Sequence, residues 1–333
     1  MTSTSPRSPR SFIRALRFVA AAIGIAAVPL AAHPQAWPAK QPIKLVAVFP
    51  PGGSVDQVAR ILAPVLQQRL GQSVVVENKG GASGAIGTTA VAQSAPDGYT
   101  FAVVFDTHGV NPALQPNLAY DTKRDLAAVS LIGTGAMVIA TVASSPYKTF
   151  ADVVKAAQGG GSVSYGSIGN GSLGHLAVTM LAKSGKLDLV HVPYRGGGPL
   201  MSDAIAGHVP LAVGSVFLAK PHVDSGKLRA LAVTTSQRSA NLPGVPTVAE
   251  SGFAGFDAPA WWAVLAPAKT PPEIVKRMNE EINAALKQPE VADKLAAQGI
   301  STHIGTPAAA QTFIEQQIDT WAKVVKANDI KAD

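Results

Sequence analysis

Short apolar runs alternate with segments of helical periodicity along most of the chain. Ile43–Phe49 (IKLVAVF) reads as a buried strand, and Val58, Ile61, Leu62, Val65 and Leu66 then recur at helical spacing through residues 55–70. Ser73–Glu77 (SVVVE) is a second strand, residues 88–94 a second helix behind a glycine-rich loop, and Tyr99–Phe105 (YTFAVVF) a third strand. Strands so continuously apolar, separated by helices, predict a parallel sheet covered on both faces. Ala127–Ala143 carries no charge, but Gly133, Thr134 and Gly135 interrupt it and β-branched residues fill its second half. That predicts two buried strands about a glycine turn rather than a membrane span.

The pattern then restarts. Residues 152–158, 173–183 and 199–206 read as helices, and residues 163–165, 187–192, 209–213 and 228–234 as strands. A strand at Trp261–Ala266 precedes helices over 271–287, 289–298 and 307–328, each opened by a proline in its first turn. The expected fold class is therefore α/β with two domains, each a parallel-rich sheet flanked by helices. With 127–143 and Trp261–Ala266 as crossings, one domain takes residues 40–136 plus 262–333 and the other residues 137–261.

The N-terminus does not fit this scheme. Arg7, Arg10, Arg14 and Arg17 precede fifteen uncharged residues, Phe18–Ala32. A basic stretch followed by a short apolar one predicts a secretory signal over residues 1–36, cleaved between Ala32 and Ala36. It also changes the charge. The whole chain carries 28 Lys+Arg against 21 Asp+Glu, a net +7 that would suggest an anionic polymer as partner. Without the four signal arginines the balance is +3, and no run of basic residues remains, so nucleic-acid binding loses its support. The chain has no cysteine, which excludes disulfides and thiolate metal sites.

Candidate chemistry sits where strands run into helices. Gly52, Gly53 and Ser54 in PPGGSVD (50–56) let backbone N–H groups approach a ligand at a helix start, a setting that suits anions. An ordinary βα turn with a capping serine explains the same residues equally well. Asp56 and Arg60 are four apart, the spacing of a local ion pair. Residues 80–87 (GGASGAIG) resemble a dinucleotide loop but lack its GxGxxG spacing. YGSIGNGSLGH (165–175) occupies the same strand-to-helix position in the second unit as PPGGS does in the first. Two such helix starts, one per domain, can converge on one anion in a cleft; His175 is either a ligand contact or structural. In VPYRGGG (192–198), Arg195 can meet a carboxylate bidentately, or stand exposed on a loop. Catalytic signatures are missing: no GxSxG elbow, no HExxH, no GxxxxGK[ST], and seven scattered histidines without metal-ligand spacing.

Several blocks together carry a family resemblance. FPPGGSVDQVAR (49–60), VVVENKGGASGAIG (74–87), APDGYTF (95–101), YGSIGNGSLGHLA (165–177), VHVPYRGGGP (190–199) and KLRALAVTTSQRSANLPGVPTVAESG (227–252) occur in order. The chain resembles the Bug-type solute receptors of tripartite tricarboxylate transporters over residues 40–330. The resemblance implies a periplasmic two-domain binding protein of type II-like fold, with a ligand cleft between the domains. It implies closure around a small carboxylated solute, delivery to membrane transporter subunits, and no cofactor. Carried over by motif, the ligand-binding residues are Gly52, Gly53, Ser54 and Asp56 in the first loop and Gly84 and Ala85 in the second. Ser167, Asn170, Gly171, Ser172 and His175 follow in the third, and Arg195 and Gly196 in the fourth. The loop ending in Thr107 and His108 faces the ligand in this family; Ser215 stands where the family usually has a polar pair, which this chain lacks, as it lacks the acidic residue usual at Pro210. No metal site and no nucleic-acid partner are expected, and the protein is expected to be a monomer. The other reading left open is a secreted α/β hydrolase or isomerase acting on a small organic acid.

Overall fold

The first strand, β1 (Ile43–Ala47), shows why the apolar runs are continuous. Leu45 and Ala47 enter one hydrophobic cluster, while Val46 and the following Val48 enter another on the opposite face. Both faces of the strand are covered, so alternation disappears. The molecule is described here from a computed structural model, which covers residues 1–3 and 37–331. The expected signal segment therefore lies outside the described residues beyond its first three.

From β1 the chain continues as α1 (Ser54–Leu70), β2 (Val74–Asn78), a 3₁₀ turn (Ala82–Gly84), α2 (Ala85–Ala92) and β3 (Thr100–Phe105). Then come α3 (Thr107–Leu114), the short α4 (Thr122–Asp125), β4 (Leu126–Gly135) and β5 (Met137–Val142). The next stretch is α5 (Phe150–Gln158), β6 (Val163–Ser167), α6 (Leu173–Gly185), β7 (Leu189–Pro193) and α7 (Gly197–Ala206). It continues with β8 (Leu211–Ser215), α8 (Val216–Asp224) and β9 (Leu228–Val233). The end of the chain holds β10 (Ala260–Pro267), α9 (Pro272–Leu286), α10 (Pro289–Ala297), β11 (Ile300–Thr302) and α11 (Pro307–Ala327). Four elements depart from expectation: α3, α4, α8 and β11. α3 and α8 carry an internal proline, Pro112 and Pro221, which breaks the usual sequence signature of a helix, and α4 and β11, four and three residues long, are too short to show a period.

Six strands form one sheet in the order β11-β4-β10-β3-β1-β2, and five form another in the order β7-β6-β8-β5-β9. The pairs joined by βα units, β1 with β2 and β3, and β6 with β7 and β8, are parallel. The strands at the passages between sheets, β4, β5 and β10, pair antiparallel, so each sheet is mixed. Only Ala136 separates β4 in the first sheet from β5 in the second. The uncharged stretch thus supplies two buried strands, but Gly133, Thr134 and Gly135 form no turn: they end β4, paired with β10 and β11, and the break falls at Ala136. Among the described residues no helix is long and apolar enough to cross a membrane.

Three features hold the parts of the first sheet that matter for function. α1 buries Val58, Leu62 and Leu66 in the core. The Arg69 guanidinium meets Glu281 on α9 at 2.6 Å, with Glu281 almost wholly buried. At the other end of α1, Trp262 on β10 donates its indole N–H to the Ser54 hydroxyl at 3.2 Å. Trp262 has 1% of its surface exposed, so this bond fixes the helix start to the middle of the sheet.

Candidate functional site

The turn between β1 and α1 is organised by one buried carboxylate. Asp56 accepts hydrogen bonds from the Gly52 N–H, the Arg60 Nε and the Asn78 Nδ2, each at 2.9 Å. Burial alone raises the Asp56 carboxyl, but the bonds from Arg60, Gly52 and Asn78 outweigh it and hold the group below its ordinary value. Gly52 takes φ +82°, a conformation that favours glycine and that turns its N–H toward Asp56. Asp56 is therefore the turn's anchor, and its ion pair with Arg60 is the one its spacing predicts.

A second glycine-rich segment stands behind this turn. A Cβ on Gly80 would lie 2.9 Å from Pro50 Cδ, and one on Gly87 would lie 2.5 Å from the Lys79 carbonyl oxygen and 3.0 Å from Val48 Cα. The glycines of residues 80–87 let α2 press against β1. Gly84 and Ala85 are buried in that packing.

A cavity of about 460 Å³ opens in front of the first turn. From the first sheet's elements it is lined by residues 49–55 and Phe105; from the second by Ile168, residues 195–199, Met201, Ser202, Ile205, Ser215, Leu218 and His222. Three helix N-termini reach it: α1 through Gly53–Val55, α7 through Gly196–Gly198, and α8 through its N-cap Ser215. First-turn N–H groups have no intrahelical partner, and the helix dipole gives each such end a partial positive charge. Ser215 is 3% exposed and its hydroxyl makes no hydrogen bond within the described residues. The Arg195 guanidinium has no carboxylate partner there either, and no Asp or Glu lines the cavity. Such a space suits an anion.

Of the sixteen residues singled out from sequence, Gly52, Gly53, Ser54, Arg195, Gly196 and Ser215 line this cavity. Thr107 and His108 do not line it and are buried at the start of α3. His108 stacks on Tyr120, with ring centroids 5.7 Å apart and planes 3° from parallel, and its two nitrogens meet Tyr120 Oη at 3.4 Å and Thr122 Oγ1 at 3.2 Å. Burial lowers its pKa to about 4. The Thr107 hydroxyl is buried without a partner.

The third loop is knitted to itself. Ser167 Oγ contacts His191 Nε2 at 2.7 Å and the Gly169 carbonyl at 3.0 Å, and Ser172 Oγ donates to Ser167 Oγ at 3.1 Å. Ser172 also caps α6 by accepting from the His175 N–H. His175 stacks on His191 with centroids 3.9 Å apart, and its Nδ1 accepts from the Gly171 N–H at 3.2 Å. Burial, reinforced by the neighbouring His175, lowers the His191 pKa to about 3. At its tip the loop touches the first sheet's elements. The Ser83 hydroxyl donates to the Asn170 carbonyl at 3.2 Å, and a Cβ on Gly171 would meet Leu114 at 2.5 Å. Tyr194 is held by Asp203 at 2.9 Å and does not line the cavity.

Sequence reasoning passed over Phe105, Ile168, Met201, Ile205, Leu218 and His222. Apolar residues in helices read as core, and α8, which carries Leu218 and His222, is masked by Pro221. No group of three or more His, Asp or Glu is placed to hold a metal ion among the described residues.

Two mixed sheets flanked by helices, with helix ends converging on a cavity between them, define the fold of the two-domain periplasmic binding proteins. Solved examples include R. palustris Rpa4515 with adipate, 33% identical, covering 89% of this chain and 99% of that one at a TM-score of 0.84. MatC from Rhodopseudomonas palustris with bound malate is 30% identical, covering 86% and 99% at a TM-score of 0.79. Residues 58–330 match the model of the tripartite tricarboxylate transporter family receptor, and the chain belongs to that family. Protein BugT of Bordetella pertussis (strain Tohama I) is 38% identical over 317 residues, 94% of this chain and 96% of BugT.

Proposed function

We propose that this protein captures a small carboxylated organic solute in the cavity between its two sheets and delivers it to the membrane subunits of a tripartite tricarboxylate-type transporter. The observation that carries this reading is the meeting of three helix N-termini and an unpartnered Ser215 hydroxyl in a space without acidic side chains. The relatives solved with adipate and malate favour a carboxylate as the anion. Direct ligand contact is assigned to Gly52, Gly53, Ser54, Arg195, Gly196 and Ser215. Asp56, Gly84 and Ala85 shape the first turn, and Thr107 and His108 belong to the buried start of α3. Ser167, Asn170, Gly171, Ser172 and His175 order the third loop against the first domain.

The working division is residues 40–136 plus 262–333 against 137–261, with the chain passing between them at Ala136 and again within the start of β10. Closure about these passages is driven by whatever the solute contacts on both sides. The protein acts as a periplasmic monomer after its signal is cut between Ala32 and Ala36. Binding without chemistry is favoured over hydrolysis. The Ser167–His191 contact has the form of a nucleophile and its base, but Ser167 is fully buried and a histidine with a pKa near 3 is a poor base at neutral pH.

Thermal denaturation with mono-, di- and tricarboxylates at millimolar concentration tests this. At least one should raise the melting temperature and be recovered unaltered by NMR after long incubation. No response to any of them, or a chemically changed ligand, would overturn the proposal.

A further inference from the structure

Away from its helix ends the cavity changes character. Ten of its twenty lining residues have apolar side chains and five are glycines. Met201 and Ile205 lie four apart on α7, and Leu218 and His222 follow Ser215 at three and seven residues on α8. The space thus runs down two helices from their N-termini, and at 1.5 Å per residue the stretch from Ser215 to His222 spans about 10 Å. Phe49, Phe105 and Ile168 face the same space.

The polar side chains on the lining are Ser54, Arg195, Ser202, Ser215 and His222. Ser202 Oγ is spent in donating to the Gly198 carbonyl at 3.1 Å, while Ser54 Oγ accepts from Trp262 and keeps its proton for the solute at the start of α1. Arg195 directly precedes the first turn of α7, at the anion-binding end. No Asp, Glu, Asn, Gln, Thr, Tyr or Lys lines the cavity. An ammonium group would find no carboxylate there, and along Met201, Ile205 and Leu218 the hydroxyls of a hydroxy acid would lose water with only His222, at the far end of the α8 wall, to replace it.

From this we infer that the solute is a carboxylic acid with an apolar aryl or alkyl body, selected over hydroxylated and amino acids. The inference rests on the carboxylate-capture reading. The carboxylate sits at the ends of α1, α7 and α8, and the body lies along Met201, Ile205 and Leu218. An unpaired hydroxyl on the body should weaken binding by about tenfold to a hundredfold.

Calorimetric titration at pH 7 with phenylacetate, hexanoate, malate and citrate separates the possibilities. The expected result is that phenylacetate or hexanoate binds at least tenfold more tightly than malate and citrate. Ile205 and Leu218 are partly buried and lie at the edge of the second sheet's core, so Ile205→Asn and Leu218→Asn are each read alongside a melt. Each should weaken the preferred acid fivefold or more with a cooperative melt retained, and Leu218→Ala should act in the same direction. Malate or citrate binding as tightly as the apolar acids would overturn the inference while leaving carboxylate capture standing. Unchanged affinity for the apolar acid in these variants would overturn the placement of its body. Binding of none of the four would remove the capture reading and this inference together.

Discussion

Two buried serines at helix starts should respond oppositely to the same substitution. Ser172 and Ser215 are 2% and 3% exposed and are the N-caps of α6 and α8. Ser172 accepts from the His175 N–H and donates to Ser167, so Ser172→Ala removes a cap and leaves a buried acceptor short of a partner. A lost cap is worth ~1 kcal/mol, and the second bond ~1 kcal/mol more, so the variant should lose ~2 kcal/mol of stability. Ser215 makes no capping bond and its hydroxyl has no partner. Ser215→Ala should leave ligand-free stability unchanged or raise it by up to ~1 kcal/mol, because an unsatisfied buried hydroxyl is removed. In the complex the order reverses. A hydroxyl given to a carboxylate is worth ~1.5–3 kcal/mol, so Ser215→Ala should weaken binding by about ten- to a hundredfold, and Ser172→Ala by little. Urea unfolding without ligand and calorimetric titration of the acid found by thermal shift read the two quantities separately. A destabilised Ser215→Ala protein with wild-type affinity would refute the assignment of this hydroxyl to the ligand.

Asp56→Ala deprives the Gly52 N–H, Arg60 and Asn78 of their shared acceptor, and should lower stability by ~2–3 kcal/mol and affinity by at least tenfold; retained affinity would show that the turn holds its shape unaided. Gly87→Ala places a methyl group 2.5 Å from a backbone oxygen and should destabilise by ~1–3 kcal/mol in chemical denaturation; a neutral effect would mean that α2 stands off β1. His108 gives a pH dependence. Its pKa is lowered from 6.5 to about 4, so between these values the unfolded chain binds a proton that the folded protein does not. Stability is full above pH 6.5 and falls as the pH drops through 4, by ~3 kcal/mol at 1.36 kcal/mol per pH unit. His191 titrates in the same direction, so His108→Gln should reduce the slope between pH 7.5 and 4.5 without abolishing it. An unchanged slope would place the histidine in contact with water.

Much of the architecture was legible because strands covered on both faces write themselves as unbroken apolar runs, as in Leu45–Val48 and Phe101–Phe105. Proline-opened helices such as α9 and α11 were equally visible. Two things were hidden. The mixed character of the sheets depends on how β4, β5 and β10 pair across long separations, which no local pattern records. The apolar wall of the cavity was also invisible, since Met201, Ile205 and Leu218 have the spacing of ordinary core. The glycine-rich loops were found correctly as loops, but sequence does not distinguish a glycine that meets a ligand from one that lets two elements pack. Gly52 and Gly53 line the cavity, whereas Gly84 and Gly87 support the turn from behind. Likewise Ser54 and Ser172 look alike in sequence, yet the first lies on the cavity and the second is spent on its own loop.

The central claim is that helix ends and a hydroxyl recognise a negative charge. Calorimetric titration of the tightest-binding acid against its own primary amide tests this most directly, because the body is kept and only the charge is removed. Charge-assisted hydrogen bonds exceed neutral ones by ~1–2 kcal/mol, and more than one donor is involved. The amide should therefore bind at least thirtyfold more weakly. Equal affinity for acid and amide would contradict anion recognition at the ends of α1, α7 and α8.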